Sequence, residues 1–256
     1  VEGGTPEARA LLERYYWFLV EHRISPYHIP VDVMSAQAGR FLDDERVTAF
    51  IVPYTDDEAE LKNRYDYVRA HGWMGKAYSY VVDEPVDEAQ YARLKEVADR
   101  IHRLAADMKL VAPYFRNPSF EGKGDVYDLL SGIVDIWCPN TGFFNPEKIA
   151  AKREGGAEIW WYVCCGPGAP YANFFVDMPA VCHRVLFWQQ YLMQVHGLLY
   201  WSTTYWHPKS TQDPWEDMAT VKDISPTIYG DGSLMYPGKK VGVEGPVSSI
   251  RLELIR

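Results

Sequence analysis

Asp83 and Glu84 stand side by side after the apolar segment Ala77-Tyr-Ser-Tyr-Val-Val82 and directly before Pro85. Successive residues of a strand point to opposite faces, so neighbouring acids can address one ligand only where the strand is ending. A proline, which cannot donate to a ladder, marks such an end. Two carboxyl groups held close also resist ionising together, which raises the pKa of one and keeps a proton available near neutral pH. Cleavage of a glycosidic bond needs such an acid. Hydrolases with two separate carboxylates place them about 5 to 9 Å apart across the bond, whereas sequence neighbours lie more naturally on one side of it. The missing nucleophile then has to come from the substrate. A 2-acetamido group can supply it, its carbonyl oxygen attacking C1 to form an oxazolinium ion. In that scheme Glu84 protonates the leaving oxygen and later activates water, while Asp83 orients the acetamido N–H and stabilises the positive charge. The competing structural reading is that both acids simply open the next helix, where negative charge suits the dipole.

The elements that must position this pair alternate along the chain. Thr5-Pro6 opens a helix to about Glu21, followed by strand-like segments at 23–29 and 47–52 and a helix from Asp56 to about Ala70. After the strand at 77–82 comes an amphipathic helix with Tyr91, Leu94, Val97, Ile101 and Leu104 on one face. Strands at 109–113, 133–137, 158–164 and 198–201 then alternate with helices near 126–130, 146–152 and 179–195. Short, continuously apolar strands separated by helices predict a parallel sheet covered on both faces. No GxGxxG or GxxxxGK[ST] turn occurs, which disfavours an open nucleotide-binding sheet. The expected fold is α/β, a (β/α)8 TIM-type barrel forming one domain over 1–256. Seven strands, an initial helix and a final segment that opens another predict a fragment lacking the first strand and part of the last helix.

Reactive groups of a parallel barrel gather at the C-terminal strand ends. There the chain places an unusual share of its 14% aromatic residues. Tyr54, Trp137, Tyr162, Trp201, Tyr205 and Trp206 are candidate sugar contacts, joined by the polar His28, Asn140, Asn173 and Asp177. Flat rings rimmed by hydrogen-bonding groups suit the CH-rich faces and hydroxyl edges of a carbohydrate. Each has a structural alternative: Asn173 and Asp177 could cap a helix, Asp177 could pair with Arg184, and the rings could be barrel-mouth packing. The segment after the last strand, with Gly230-Asp-Gly232 as a turn, could fold over the site and bring Tyr236 to it.

Composition narrows the partners. Lys and Arg total 26 against 35 acids, a net charge of −9 with no basic cluster, so nucleic acid is not expected. No apolar run approaches the roughly 20 residues of a membrane helix, and no signal peptide is visible in this chain. The four cysteines, Cys138, Cys164, Cys165 and Cys182, include no CxxC pair, and no histidine stands at zinc-finger spacing. Neither metal nor cofactor is expected. The adjacent Cys164 and Cys165 read as packed free thiols.

Several stretches together resemble the catalytic barrel of glycoside hydrolase family 123. They are Glu21-His-Arg-Ile-Ser-Pro26, Tyr80-Val-Val-Asp-Glu-Pro85, Val134-Asp-Ile-Trp-Cys-Pro139, Asn173-Phe-Phe-Val-Asp177 with Arg184 and Trp188, Gly197-Leu-Leu-Tyr-Trp201, and Gly230-Asp-Gly-Ser-Leu-Met-Tyr-Pro-Gly238 running on to Ser249-Ile-Arg-Leu-Glu253. They span nearly the whole chain in family order. The resemblance implies a β-N-acetylgalactosaminidase-like enzyme, with Asp83 polarising the acetamido group, Glu84 as acid/base, and a glycan or glycoconjugate as substrate. It also favours a secreted or periplasmic location. Two alternatives stay open: a carbohydrate-binding barrel without activity, and an ordinary two-carboxylate glycosidase acting on a sugar without an acetamido group, using Asp177 or Asp213 as its second acid.

Overall fold

A computed structural model describes residues 4–115, 124–205, 213–218 and 228–256. Six strands, β1 (Phe50–Ile51), β2 (Ala77–Tyr80), β3 (Lys109–Tyr114), β4 (Ile136–Pro139), β5 (Glu158–Val163) and β6 (Gly197–Tyr200), form one sheet in chain order. Every neighbouring pair is parallel. Helix α1 (Pro6–Glu21) and the short α2 (Gly39–Leu42) precede β1. The crossovers that follow β1 to β5 carry α3 (Glu58–Ala70), α4 (Glu88–Leu104), α5 (Val126–Leu129), α6 (Pro146–Glu154) and α7 (Ala180–Leu192). Past β6, β7 (Met235–Pro237) and β8 (Pro246–Ser248) pair antiparallel before α8 (Ile250–Ile255).

Local chemistry starts most of these helices. Thr5, Asp57, Asp87, Asp125, Asn145 and Ser249 each accept a backbone N–H from the first turn, which satisfies a donor that the helix itself leaves unpaired. Pro6 and Pro146 sit where a missing N–H costs nothing.

Three expected elements differ. Segment 23–29 is not a regular strand: Arg23 takes a φ of +62° and Pro26 and Pro30 have no N–H to offer. Its one sheet-like bond is from Ile51 N–H to the Tyr27 carbonyl at 2.8 Å. Of the apolar run 47–52, only Phe50 and Ile51 enter the ladder. The fourth strand begins at Ile136 and not at Ile133, because a turn with Gly132 at φ +74° occupies the start of that segment. The described residues therefore build a six-stranded half-barrel where seven strands of an eight-fold barrel were expected.

The sheet curls strongly. Tyr78 on β2 and Trp160 on β5 touch edge to face, ring centroids 5.0 Å apart. In a flat sheet those strands would lie roughly 14 Å apart, three spacings of about 4.8 Å. The two margins also meet, since the Tyr27 hydroxyl donates to the Tyr200 carbonyl of β6 at 2.6 Å. Alternation then divides the strand residues into two cores. Tyr78, Val111, Ile136, Cys138, Trp160, Tyr162 and Leu199 fill the inside of the curl, with Tyr27, Tyr80 and Cys164 against them. Leu110, Ala112, Trp137, Ile159, Trp161 and Val163 face outward, in one core with Leu61, Leu94, Ile101, Ile149 and Leu186 of the helices. Burial on both faces is why the strands read as unbroken apolar runs.

The margin-to-margin bond gives a direct test. Tyr27→Phe keeps the ring but leaves the Tyr200 carbonyl without its donor, and we expect a loss of about 1 kcal/mol in urea unfolding with an unchanged denaturant slope. An unaltered midpoint would show that this bond contributes nothing to holding the curl.

Candidate active site

The acid pair stands where β2 has ended. Tyr80, its last residue, donates its hydroxyl to Asp83 Oδ1 at 2.6 Å. Tyr162 on β5 donates to Glu84 Oε1 in a hydrogen bond that crosses the mouth of the curl. Both tyrosines belong to the inner face, so both carboxylates are held from inside the half-barrel. The helix-opening alternative is excluded by position: α4 starts at Glu88 and its N-cap is Asp87, three residues beyond Glu84.

The backbone explains how neighbours can share one direction. Glu84 has a φ of +42°, a left-handed conformation that a residue other than glycine adopts at a cost of about 1–3 kcal/mol. Such a residue breaks the strict alternation that would aim Asp83 and Glu84 apart. The Tyr162 contact supplies part of what holds it there.

Burial raises the Glu84 pKa above the ordinary carboxylate range; the Tyr162 hydrogen bond pulls it back, and the Asp83 charge pushes it up again. Tyr80 and Tyr162 are themselves raised, first by burial and then by the carboxylates they touch, so both remain O–H donors. The result is a Glu84 shifted toward its protonated form beside an exposed Asp83.

A third carboxylate completes the mouth. Asp231 is fully buried, and its Oδ1 accepts from the Tyr200 hydroxyl and from the Trp201 indole N–H, each at 3.1 Å. Its Oδ2 is buried with no hydrogen bond among the described residues. Burial raises its pKa, opposed by those two donors. The Trp201 indole rests on Gly232, where any Cβ would collide with the ring and where φ is +70°. Tyr205 meets the same indole edge to face at 4.6 Å. The buried Arg251 of α8 donates to the carbonyls of Phe174 at 2.6 Å, of Gly230 at 2.8 Å and of Ser233, fixing the turn that carries Asp231. Sequence reading took Gly230-Asp-Gly232 as a turn and missed the acid inside it. Its only signal was the aspartate between two glycines.

Of the expected contacts, the structure brings Tyr162 to the acid pair and places Trp201 with Tyr205 on the β6 side of the mouth. Trp137 is corrected. Because β4 ends at Pro139, two residues later than expected, this residue lies inside the strand and faces outward, stacked on Tyr127 at 5.6 Å and 9° with the Lys152 ammonium 4.6 Å from its ring centre. Asn140 spends its amide on the Gly166 carbonyl at 3.1 Å and its oxygen on Gly142 N–H at 3.0 Å. Asn173, fully buried, holds the Cys164 and Pro167 carbonyls at 2.9 and 3.0 Å and does not cap α7, whose N-cap is Pro179. Tyr54 donates to Asp56 at 3.0 Å and accepts from Arg100 at 2.5 Å, in an outer charged cluster. His28 is exposed along an apolar groove with Tyr15, Pro26 and Thr203. Asp177 is exposed on a turn, while Arg184 reaches the Leu254 carbonyl at 3.4 Å. Asp213 pairs with Lys240 at 2.6 Å, and Tyr236 stacks on Trp215 at 4.6 Å. Trp206 lies outside the described residues.

No helix among the described residues is long and apolar enough to cross a membrane, and no group of three or more His, Cys, Asp or Glu among them could hold a metal ion. The family described as glycoside hydrolase 123, catalytic domain, matches residues 21–256. No curated protein matches the chain. Solved structures similar to it include β-glucuronidase 2 of Bacteroides uniformis, at 13% identity and a TM-score of 0.44, covering 93% of this chain and 31% of that one. Parabacteroides merdae β-glucuronidase gives 13% and 0.37, covering 75% of this chain and 29% of its own. A Silicibacter pomeroyi DSS-3 protein, provisionally named a glycerophosphoryl diester phosphodiesterase, gives 12% and 0.36, covering 59% and 45%. The chain thus spans less than half of each, and likenesses this distant set neither its fold nor its function.

The raised Glu84 pKa has a consequence for stability. The folded chain binds this proton more tightly than the unfolded chain, whose value lies near the ordinary 4.5, so stability falls as pH rises through the interval between the two. Glu84→Gln removes the penalty while keeping an acceptor for Tyr162. We expect the variant to match the parent below about pH 4 and to melt higher than the parent at about pH 8. Equal melting temperatures at both pH values would contradict a Glu84 whose pKa is raised by burial.

Proposed function

The chain belongs to the family of glycoside hydrolase 123 catalytic domains, and we propose that it is a retaining, exo-acting hydrolase removing a terminal β-linked N-acetylhexosamine by substrate assistance. Glu84, protonated at rest, gives its proton to the glycosidic oxygen as the bond to C1 breaks. The acetamido carbonyl oxygen closes on C1 from the opposite face, and Asp83 accepts the amide N–H and balances the charge of the oxazolinium ion. Glu84, now ionised and steadied by the Tyr162 hydroxyl, takes a proton from water as that water opens the ring at C1. Two displacements at one carbon retain the anomeric configuration.

The observation that carries this reading is that the adjacent carboxyl groups are each held by an inward tyrosine at one strand end, with burial favouring the protonated form of Glu84. Trp201, braced by Asp231 and Gly232, offers the flat wall against which the CH face of a sugar would stack. N-acetylgalactosamine is the first choice on the family resemblance. No metal or cofactor takes part in this scheme.

Aryl β-N-acetylgalactosaminides and their gluco counterparts, each compared with the glycoside lacking the acetamido group, form the test. Turnover should require the acetamido group and be inhibited by a thiazoline that mimics the oxazoline. Glu84→Gln should lower turnover about 10²- to 10⁴-fold. Asp83→Asn should harm acetamido-bearing substrates selectively. Full activity in both variants would reject the assignment; efficient cleavage of sugars without the acetamido group would favour a two-carboxylate enzyme, and saturable sugar binding without turnover would favour a binding barrel.

A further inference from the structure

Cys164 and Cys165 follow β5 directly, two and three residues beyond Tyr162. Neither thiol has a part in the proposed hydrolysis. Their Sγ atoms lie 3.8 Å apart, and both residues are only half-buried. Cys164 packs on the inner cluster that contains Tyr162 and Cys138. Both thiols feel the charge of Glu84, and Cys165 also that of Asp231, which puts the pair at the same mouth. Asn173 grips the carbonyl of Cys164 at 2.9 Å, so the backbone bearing the pair is held in place.

The separation has chemical content. At 3.8 Å the sulfurs are far beyond a disulfide bond of about 2.05 Å. Two sulfurs bonded at about 2.3 Å to one pyramidal trivalent centre, with about 100° between the bonds, lie about 3.5 Å apart, a few tenths of an ångström inside the separation seen here. A linear centre with the same bond length would need about 4.6 Å. The thiols are therefore spaced for a single bent bridge. Since no third His, Cys, Asp or Glu joins them in a metal-holding group among the described residues, the bridging atom has to bring its remaining substituent with it.

We propose that Cys164 and Cys165 form a bidentate capture site for a soft, thiophilic atom carrying its own third substituent, the class represented by trivalent organoarsenicals, at the mouth beside Glu84. The oxide R–As=O reacts with both thiols: two As–S bonds form, the oxygen takes the two thiol protons and leaves as water. Arsenic stays trivalent throughout, so no oxidant or reductant is needed. Order of attack follows from the pair itself. The hydrogen bond from Cys164 holds the Cys165 pKa below that of an ordinary thiol, and the same contact together with burial raises that of Cys164. Cys165 attacks first as the thiolate, and Cys164 closes the ring. Neither remaining cysteine offers a comparable pair, because Cys138 is fully buried and Cys182 lies on α7.

Phenylarsine oxide on the full chain is the test. Intact-mass measurement should show one adduct with loss of two titratable thiols, reversed by a 1,2-dithiol but not by the same excess of a monothiol. Cys164→Ser and Cys165→Ser, prepared separately, should each weaken capture about 100-fold or more, the advantage of holding two ends together. Capture as tight in either variant as in the parent, or none in the parent, overturns the site. The blocking effect rests on the proposed function: turnover of an aryl glycoside should fall in proportion to the fraction captured, and full turnover by fully captured enzyme overturns the placement beside Glu84. The mass and thiol readouts need no turnover, so a chain that hydrolyses nothing would refute the hydrolase reading while still deciding the capture.

Discussion

The hydrogen bond from the Tyr162 hydroxyl to the Glu84 carboxyl is the contact on which the rest of the mouth depends. It joins the end of β2 to β5, three strands away, and so is possible only because the sheet curls. It helps hold Glu84 at a φ of +42°, a conformation the isolated segment would leave at once. It also sets a balance on the acid, since the donor favours ionisation while burial opposes it more strongly. A donor from the inner face thus does what a solvating water would do elsewhere.

A second network, independent of the first, shapes the opposite side. Asp231 gathers the Tyr200 hydroxyl and the Trp201 indole N–H, and Arg251 ties the turn beneath them to α8. Elements from the middle and the very end of the chain meet there, and the antiparallel β7–β8 pair brings them into register. A buried guanidinium that donates to several carbonyls is well satisfied, which is the condition for tolerating its charge in the interior.

Periodicity carried most of the sheet and the helices, because apolar runs and helical spacing act locally and are visible in the letters. The failures have specific causes. Segment 23–29 has the composition of a strand, but Pro26 within it and Pro30 just after it withhold N–H groups that a ladder needs. Trp137 was misplaced because strand ends are harder to read than strands: a two-residue shift of the end of β4 turns a mouth residue into a packing residue facing the helices. Asn140 and Asn173 were read as sugar contacts because their type permits it, whereas both amides are consumed by the carbonyls of the loop after β5. Asp231 was invisible for the opposite reason. Between two glycines an aspartate signals a turn, and only the tertiary fold buries it under an indole.

The seat of Trp201 on Gly232 has a further meaning. Backbone beneath the indole, a carboxylate on its nitrogen and Tyr205 against its edge hold the ring from three sides. A side chain held in this way is ordered before anything lies against it, so less entropy is lost on contact than with a ring free to swing. The same support makes the surface unyielding: a shape that does not match the plane of the indole has to adapt itself, because the ring beneath it is braced on three sides.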